Sequence, residues 1–414
     1  MTNKKIEYDQ IIKRGCGLDV HKETVVATVK GEGLQEETRT YETFTSSLKD
    51  LKRWLRHKKV THIAMESTGV YWKPVFNILG EYFEVLLVNA RHIKNVPGRK
   101  TDKSDSQWIC KLLLSGLLRG SFVPPEKIRE LRDLNRYKIK LTQEMASEKN
   151  RMQRILEDAN IKLSSVVSNT SGVVATKLID GLIAGRKDLD RLIAESYHGR
   201  LSASKELMKK ALTGRLTAHH KFMLNQIKAH IAYLEGQIDL IDEEMDSKLK
   251  EFNEQIELLQ TIPGVGRDGA KGIISEIGTD MDVFPDEKHL SSWAGMSPGS
   301  NESAGKKKSS RTRHGNQYLK PILVELAWGA TRTKGTYFRA KYESLIGRRG
   351  KKRALIAVGH KILEACYYVL KEKVPYHELG ANYLIEKKRK SRISYLRRQL
   401  NELGYEVEKK DKVA

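Results

Sequence analysis

The stretch THIAMESTGVYW at residues 61–72 has the pattern of a short buried strand that ends in a carboxylate. Glu66 follows the apolar run Ile63–Met65, and Ser67, Thr68 and Gly69 then provide a turn. A glutamate at the end of a buried strand loses hydration, which is costly unless a partner uses its charge. A divalent metal ion is the simplest such partner, and the sequence offers three further acids for it.

These further acids stand in two short segments. Asp19 ends the triplet GLD, and Asp102 and Asp105 lie in the segment KTDKSD. Because Asp102 and Asp105 are three residues apart, a helix that begins there would place both on one face. Mg²⁺ prefers oxygen ligands, and two such ions can clamp the attacking and leaving oxygens of a phosphoryl transfer. One Asp after a strand is usually a turn or cap residue, but four acids in a basic chain predict a Mg²⁺ site of Asp19, Glu66, Asp102 and Asp105.

Composition favours a polyanionic partner. The 414 residues carry 75 Lys and Arg against 52 Asp and Glu, a net charge of +23, and their number suffices for two or three domains. Nucleic acid is the expected partner, and a merely basic surface is the alternative. Cys16, Cys110 and Cys366 are far apart, which excludes a zinc-finger or disulfide pattern. With no long apolar run, we expect no membrane association and a cytoplasmic protein.

Hydrophobic patterning predicts a mixed α/β region at the N-terminus. Strands alternate with helices, and the first two strands form a hairpin. A basic loop at 91–100 then leads into a helix over 103–118 that carries Asp105. The elements predicted before that loop are a hairpin at 15–30, a helix at 47–57, the Glu66 strand, a helix at 72–80 and a strand at 83–89.

The remaining chain is predicted to be mostly helical. A charged helix is expected over 126–162, and a second one over 224–252 has the three-and-four apolar spacing of a coiled coil. Together they predict an antiparallel arm or a dimerisation element. A Ser-, Gly- and Lys-rich loop follows within 290–330, and we expect it to be mobile in the free protein. Further helices are predicted at 316–333 and 353–371 and in the basic tail from Glu386.

The segment at 257–278 predicts two helices joined by the tight turn PGVG, in the style of a helix-hairpin-helix. Gly264 and Gly266 would let the turn bend and bring backbone N–H groups close to a DNA phosphate. An ordinary corner between two helices is the alternative interpretation.

Four motifs resemble those of insertion-sequence-110-type transposases, in the form typical of the 1111 subgroup. The motifs are GLDVHK at 17–22, MESTGVY at 65–71, KTDKSD at 100–105 and WAGMSPGSNESAGK at 293–306, and the resemblance covers about residues 15–375. It implies a RuvC-like, RNase H-type α/β domain in which Asp19, Glu66, Asp102 and Asp105 are the DEDD quartet that binds Mg²⁺. The implied domains are 1–125 (catalytic), 126–256 (coiled coil and dimerisation), 257–375 (C-terminal, with the helix-hairpin-helix) and 376–414 (basic tail).

The same resemblance implies a serine nucleophile that forms a covalent phosphoserine–DNA intermediate. Ser303 matches it best by its place before AGK, although Ala304 stands where many relatives have glycine. A serine hydroxyl needs activation, here by metal or a neighbouring acid. Three other serines are nearby, Ser297, Ser300 and Ser309. The expected DNA-binding residues are Gly264, Gly266, Lys306, Lys307 and Arg311.

The family's partners complete these expectations. Family members pair with double-stranded donor and target DNA through a structured guide RNA encoded in their own element, and the serine works with the acidic domain of another protomer, so a dimer or tetramer is expected. The resemblance also implies a bacterial or archaeal, nucleoid-associated location. Two alternatives stay open. One is a RuvC-like, metal-dependent nuclease, such as a junction resolvase, that does not use the serine. The other is a non-catalytic architectural protein that binds DNA through the helix-hairpin-helix and coiled coil.

Overall fold

The computed structural model describes residues 11–67, 69–90, 93, 105–197, 202–299, 301–303, 306–309, 312 and 314–405. The chain divides into two compact units, 1–123 and 124–414, and each is described by itself. Two of the predicted site residues, Asp102 and Arg311, lie outside the described residues. Within these ranges, no helix combines the length and the apolar character that crossing a bilayer requires.

The N-terminal unit is built on a five-stranded mixed sheet of order β3-β2-β1-β4-β5. Strand β2 runs antiparallel to both β1 and β3, whereas β1, β4 and β5 run parallel to one another. The strands are β1 (Arg14–Val20), β2 (Thr24–Gly31), β3 (Leu34–Glu42), β4 (His62–Glu66) and β5 (Glu84–Val88). The helices whose bounds fall within the described residues are α1 (Thr45–His57), α2 (Trp72–Leu79) and α3 (Asp105–Leu114).

The two faces of this sheet are covered by different helices. Successive side chains of a strand point to opposite faces. Leu18 of β1 and Met65 of β4 are fully buried in a cluster with residues of α1 and α2. Ala64, one residue before Met65, belongs instead to a cluster with Trp108 and Ile109 of α3. Helix α3 therefore covers the opposite face from α1 and α2.

The predicted mixed α/β region is confirmed, with two differences in detail. The structure adds the edge strand β3, which the sequence does not predict. Helix α3 ends at Leu114, four residues before the end of the helix predicted over 103–118, and residues 103 and 104 lie outside the described residues.

The C-terminal unit is almost entirely helical, as predicted, and its described strands form one short hairpin. The hairpin consists of β6 (Asn301–Ser303) and β7 (Lys306–Ser309), within the stretch predicted to be a loop. The helices are α4 (Glu126–Asp158), α5 (Val173–Ile183), α6 (Leu189–Ser196), α7 (Lys205–Leu212), α8 (Ala218–Leu249), α9 (Asn253–Gln260), α10 (Arg267–Ile277), α11 (Glu287–Trp293), α12 (Leu319–Ala330), α13 (Tyr337–Arg349), α14 (Lys351–Glu372) and α15 (Tyr383–Glu402), with 3₁₀ turns at Leu163–Ser165 and Lys250–Phe252.

Helices α4 and α8 pack against each other as an antiparallel arm. Ion pairs mark their register, with Lys127 bound to Glu251 at 2.8 Å near one end and Lys138 bound to Asp242 at 2.5 Å further along. Apolar residues of both helices are buried, such as Leu141 of α4 and Ile241 of α8. At the far end of the arm, residues of α4 and α8 pack with α5, α6 and α7 in one hydrophobic cluster. Both helices belong to one chain, and dimerisation through this region stays a prediction.

Candidate functional site

Asp19 and Glu66 occupy adjacent positions at the carboxyl ends of two neighbouring parallel strands. Leu18 of β1 pairs with Met65 of β4, so the next residue of each strand is one of the two predicted acids. Register partners in a parallel sheet point to the same face. Because Leu18 and Met65 face α1 and α2, the alternation turns Asp19 and Glu66 towards the face that α3 covers.

Helix α3 brings Asp105 to the same end of the sheet. Gly15 of β1 lies next to Leu113 near the end of α3, whereas Gly17 lies against the Ser106 carbonyl near its start. The helix therefore runs antiparallel to β1, and its first residue, Asp105, lies at the end where Asp19 stands. A hydrogen bond of 2.8 Å between the hydroxyls of Thr28 and Ser106 ties the first turn of α3 to β2.

Gly17 makes this approach of α3 possible. A Cβ at position 17 would stand 2.2 Å from the Ser106 carbonyl oxygen and 2.3 Å from the Cys110 backbone nitrogen. Both distances are far below van der Waals contact, so only glycine lets the helix lie this close. The GLD motif thus combines the acid with the glycine, two residues earlier on the same face, that admits the helix bearing Asp105.

The acids offer oxygen donors at a solvent-accessible edge. The Asp19 side chain is 24 % exposed, and its Oδ2 lies 3.1 Å from Nε2 of His21. Carboxylate oxygens are the ligands that hard divalent cations prefer, so Asp19, Glu66 and Asp105 suit such an ion chemically. Across the described residues, no three His, Cys, Asp or Glu side chains are grouped closely enough to hold a metal ion. Asp102, the fourth predicted acid, is outside that set.

The predicted nucleophile lies in the β6–β7 hairpin. Ser303 pairs with Lys306, and Glu302 pairs with Lys307. The hairpin lies within residues 295–316, which we call the serine segment. Pro298 and Thr312 form a bridge between the two strands of chain that flank the hairpin. The structure thus places Ser303, Lys306 and Lys307 on one hairpin, while their roles stay predictions.

Gly295 and Gly315 bring the two ends of the serine segment into backbone contact. A Cβ at Gly315 would lie 2.2 Å from the backbone nitrogen of Gly295, so the chain entering the segment and the chain leaving it cross in backbone contact. Asn316 follows directly, and its Oδ1 accepts hydrogen bonds from the backbone N–H groups of Tyr318, at 2.9 Å, and Leu319, at 3.1 Å. The start of α12 is thereby tied to the end of the serine segment.

Sequence analysis did not predict the role of Glu276, a buried carboxylate that binds the Asn316 side chain at the end of the serine segment. Glu276 of α10 is fully buried, and its Oε2 accepts a hydrogen bond of 2.5 Å from Nδ2 of Asn316. Arg136 of α4 binds the same carboxylate, and the neighbouring Arg132 lies 3.5 Å away. Burial lowers the pKa of the Arg132 guanidinium to about 10, against the opposing effect of Glu276. The position of Glu276 within the apolar run GIISEIG was the available signal.

The two glycines of the PGVG turn have different surroundings. Gly264 has a φ of +86°, and a Cβ there would lie 2.4 Å from the backbone nitrogen of Ala330. Packing against the end of α12 therefore explains this glycine without a ligand. Gly266 is the N-cap residue of α10, and nothing described lies within 4 Å of where its Cβ would be. Binding of DNA at either glycine stays a prediction.

Comparison with known proteins gives two family matches that together cover more than half of the chain. Residues 16–161 match a transposase model of the DEDD, IS110 type, and residues 256–343 match the model described as "Transposase IS116/IS110/IS902 family". The first match contains Asp19, Glu66 and Asp105, and the second contains the β6–β7 hairpin and α10.

Individual relatives agree with these matches over most of the chain. The pilin gene-inverting protein of Moraxella bovis is 22% identical over 378 residues, which are 88% of this chain and 98% of that protein. The transposase for insertion sequence element IS1111A of Coxiella burnetii is 23% identical over 312 residues, 73% of this chain and 76% of that protein. The pilin gene-inverting protein of Moraxella lacunata is 31% identical over 130 residues, 30% of this chain and 40% of that protein. The chain belongs to the IS110 family of transposases and is an enzyme that acts on DNA.

Proposed function

We propose that this transposase cleaves and rejoins DNA strands with Mg²⁺ held by Asp19, Glu66, Asp102 and Asp105 and with Ser303 as its nucleophile. The observation that carries the proposal is the adjacent placement of Asp19 and Glu66 on parallel strands, at the end of the sheet where α3 begins with Asp105. Membership of a DEDD-type transposase family suggests dependence on a divalent metal. Such an ion would stabilise negative charge that develops on phosphoryl oxygens.

The proposed chemistry is an exchange of one phosphoester bond for another. The Ser303 oxygen gives up its proton and attacks the phosphorus, forming the phosphoserine bond. The bond from phosphorus to the leaving sugar oxygen breaks, and that oxygen takes up a proton to become a hydroxyl. Attack by a hydroxyl of another strand reverses these events and releases the serine. A neighbouring carboxylate or the bound ion would activate the serine, whose hydroxyl is a weak nucleophile near its ordinary pKa.

The finer architecture belongs to the same proposal. The mixed sheet and the described helices α1, α2 and α3 that cover it support a RuvC-like, RNase H-type domain at 1–125. The paired α4 and α8 support a coiled-coil region at 126–256 with a role in dimerisation. Helices α9 and α10 support a helix-hairpin-helix within a C-terminal domain at 257–375, followed by a basic tail at 376–414.

The proposed partners are double-stranded donor and target DNA and a structured guide RNA from the same element. A net charge of +23 supports polyanionic partners. Since the serine of one protomer would work with the acids of another, the proposed active form is a dimer or tetramer. The proposed location is the cytoplasm, at the nucleoid. The non-catalytic alternative conflicts with membership of a family of transposases.

A trapping assay with Mg²⁺, the element's own RNA and end-labelled junction DNA tests the proposal. Wild-type protein is expected to form a labelled, SDS-resistant protein–DNA adduct, and Ser303→Ala is expected to form none while it still folds and binds DNA. Ser309→Ala, at the far end of β7, is the matched control and should form the adduct normally. Strand cleavage that needs Asp19 and Glu66 but gives no adduct would establish the metal-dependent nuclease instead.

A further inference from the structure

Helix α15 (Tyr383–Glu402) is fixed to the C-terminal unit at its first turn. The ring of Tyr383 makes an edge-to-face contact with that of Tyr337, the first residue of α13, and the ring centres are 5.7 Å apart. Just before α15, the Glu378 carboxylate accepts hydrogen bonds from the backbone N–H groups of Tyr337, at 2.7 Å, and Gly380, at 2.8 Å. Every residue from 385 to 405 is exposed. The helix is therefore held at its start, and the rest of its surface is open to a partner.

This exposed helix carries a concentrated positive charge. Residues 386–398 contain seven Lys and Arg and one acid, Glu386, which gives a net charge of +6, about a quarter of the chain's +23. Lys388 and Arg392 are four residues apart, and like charges at this spacing destabilise a helix. A dense face of one sign attracts a partner of the opposite sign, so the helix fits a polyanion.

Two further helices add lysines at the start of α15. Lys341 of α13 is partly buried, and this burial is the largest cause that lowers its pKa. Three neighbouring lysines lower that pKa further, namely Lys361 of α14 and Lys387 and Lys388 of α15. Glu364 opposes them, but Lys361 already binds it at 2.5 Å. Within the described ranges, no acid forms an ion pair with Lys341, Lys387 or Lys388. This gathering of like charges costs stability in the free protein, and a bound anion would offset it.

The basic side chains of α15 share one face with an aromatic ring. Residues three and four apart are neighbours on a helix surface. An open groove of about 530 Å³ runs along this face, lined by Leu384, Lys387, Lys388, Ser391, Arg392 and Tyr395. The Cζ atoms of Arg392 and Arg398 lie 5.6 Å and 5.9 Å from the centre of the Tyr395 ring. Because such cation–π contacts hold a guanidinium in place, the face presents its charges in an ordered array.

We propose that this face of α15, together with Lys341 and Lys361, binds the phosphodiester backbone of duplex DNA. Its ammonium and guanidinium groups donate to phosphate oxygens. A helix of 20 residues is about 30 Å long, so the face spans nearly one turn of the duplex. DNA is favoured over duplex RNA because an α-helix fits the major groove of DNA, whereas that of RNA is deep and narrow. This inference deepens the proposed function and rests on it for duplex DNA as the partner.

The experiment measures binding of the full-length protein to a fluorescein-labelled DNA duplex of random sequence over a range of salt concentrations. The double variant Lys387→Gln/Lys388→Gln removes two exposed cations from the face and leaves the core intact. It is expected to reduce the slope of log K against log salt by about 1.8, the loss of two phosphate contacts. Lys209→Gln/Lys210→Gln removes the same charge from exposed positions of α7 and is the control. Equal changes of slope in the two double variants would show that bulk charge alone attracts the DNA, which would overturn the proposal.

Lys341→Gln separates a role in binding from a role in stability. The variant removes a partly buried charge and its repulsion by neighbouring lysines, so the midpoint of urea unfolding should stay the same or rise. The salt slope of DNA binding should nevertheless fall by about 0.9. Lys341→Arg keeps the charge and should retain the wild-type slope. An unchanged slope in Lys341→Gln would remove this lysine from the site, and a lower midpoint with that slope would assign it to packing.

A duplex RNA of the same sequence separates the two nucleic acids. If Lys387→Gln/Lys388→Gln weakens RNA binding and spares DNA binding, the face is an RNA site and the proposal fails. Binding needs no strand chemistry, so it also separates this inference from the proposed function. Loss of the adduct in Ser303→Ala with normal binding concerns the nucleophile, and a reduced salt slope in Lys387→Gln/Lys388→Gln concerns the face of α15.

Discussion

Arg136 and Glu276 form a two-point ion pair inside the C-terminal unit. The distances from Nε to Oε1 and from Nη2 to Oε2 are both 2.9 Å, and the Glu276 side chain has no solvent exposure. The Arg136 guanidinium also lies 4.4 Å from the centre of the Tyr318 ring. This pair links the helical arm to α10 and, through Asn316, to the end of the serine segment.

Removing the charge of Glu276 should strongly destabilise the unit. Glu276→Gln leaves two arginines without their buried counter-charge, and breaking a buried pair in this way costs about 3–5 kcal/mol. Urea unfolding followed by tryptophan fluorescence measures the loss. Glu343→Gln is the control, because it breaks the exposed pair of Arg339 and Glu343 and should cost less than about 1 kcal/mol. Similar losses for the two variants would show that the buried pair contributes little.

The acids of the sheet should be needed for chemistry and dispensable for folding. Asp19→Asn and Glu66→Gln keep side-chain size and remove the charge that would hold Mg²⁺, so DNA strand cleavage should fall about a hundredfold or more. The thermal midpoint of wild type should rise on adding Mg²⁺, and that rise should shrink in both variants. Asp50→Asn, on the exposed face of α1, is the control and should behave as wild type. Full activity in either site variant would remove that residue from the site.

Gly17→Ala tests whether α3 must lie close to β1. The new Cβ would meet the Ser106 carbonyl at 2.2 Å, so α3 must move away and carry Asp105 with it. We expect a loss of stability of about 1–3 kcal/mol, as for overpacking, and a loss of cleavage even in protein that remains folded. Gly120→Ala is the control, since its Cβ would meet Leu86 at an ordinary 3.7 Å. Cleavage by Gly17→Ala at the wild-type rate would show that this close approach is unnecessary.

Most strands of the sheet, and the places of Asp19 and Glu66 near strand ends, could be predicted from the sequence. The apolar pattern of these strands matches the burial of their side chains in the structure. The run before Glu66 is apolar, and the structure buries it in the sheet as β4. Strand β3 escaped prediction because it is an edge strand of sequence LQEETRTYE, with no buried residue and hence no apolar alternation. Helix α13 was not predicted for a similar reason, because Tyr337 and Phe338 are its only buried residues and no apolar spacing marks it as a helix.

The long-range contacts of the C-terminal unit could not be predicted from local pattern. Gly315 and Gly295 are twenty residues apart, and nothing in the intervening polar segment indicates that their backbones touch. The serine segment reads as a loop because its residues are Ser, Gly and Lys, yet its described part forms a hairpin. Glu276 binds Arg136 of α4, which is 140 residues away in the chain, and Asn316, which is 40 residues away and lies just before α12.

Gly315→Ala should disturb the serine segment specifically. Its Cβ would lie 2.2 Å from the Gly295 nitrogen, which forces apart the two chains at the base of the segment. We expect the covalent adduct to fall about tenfold or more, because a misplacement of about 1 Å costs about a hundredfold in a positioned reaction. Binding of Mg²⁺ should be unchanged. Gly347→Ala, which meets no described atom within 4 Å, is the control. Normal adduct formation by Gly315→Ala would show that the crossing does not position the serine.

The buried thiols should make the folded protein less stable at alkaline pH. Burial raises the pKa of Cys110 and of Cys366 to about 12, and that of Cys16 well above its usual value of 9.0. A pKa raised on folding stabilises the folded state below the unfolded pKa, and that contribution is lost as the pH rises from about 9 towards 12. Each thiol adds up to about 1.4 kcal/mol per pH unit to the fall.

Comparison of Cys366→Ala with wild type isolates one of these contributions. The cavity left by the sulfur lowers stability equally at every pH, whereas the missing titration makes the fall above pH 9 shallower. Urea unfolding at a series of pH values measures both effects. Ser344→Ala, at an exposed position of α13, keeps all three thiols and should retain the wild-type slope. If Cys366→Ala loses stability with pH as steeply as wild type, the Cys366 thiol does not contribute to the alkaline loss.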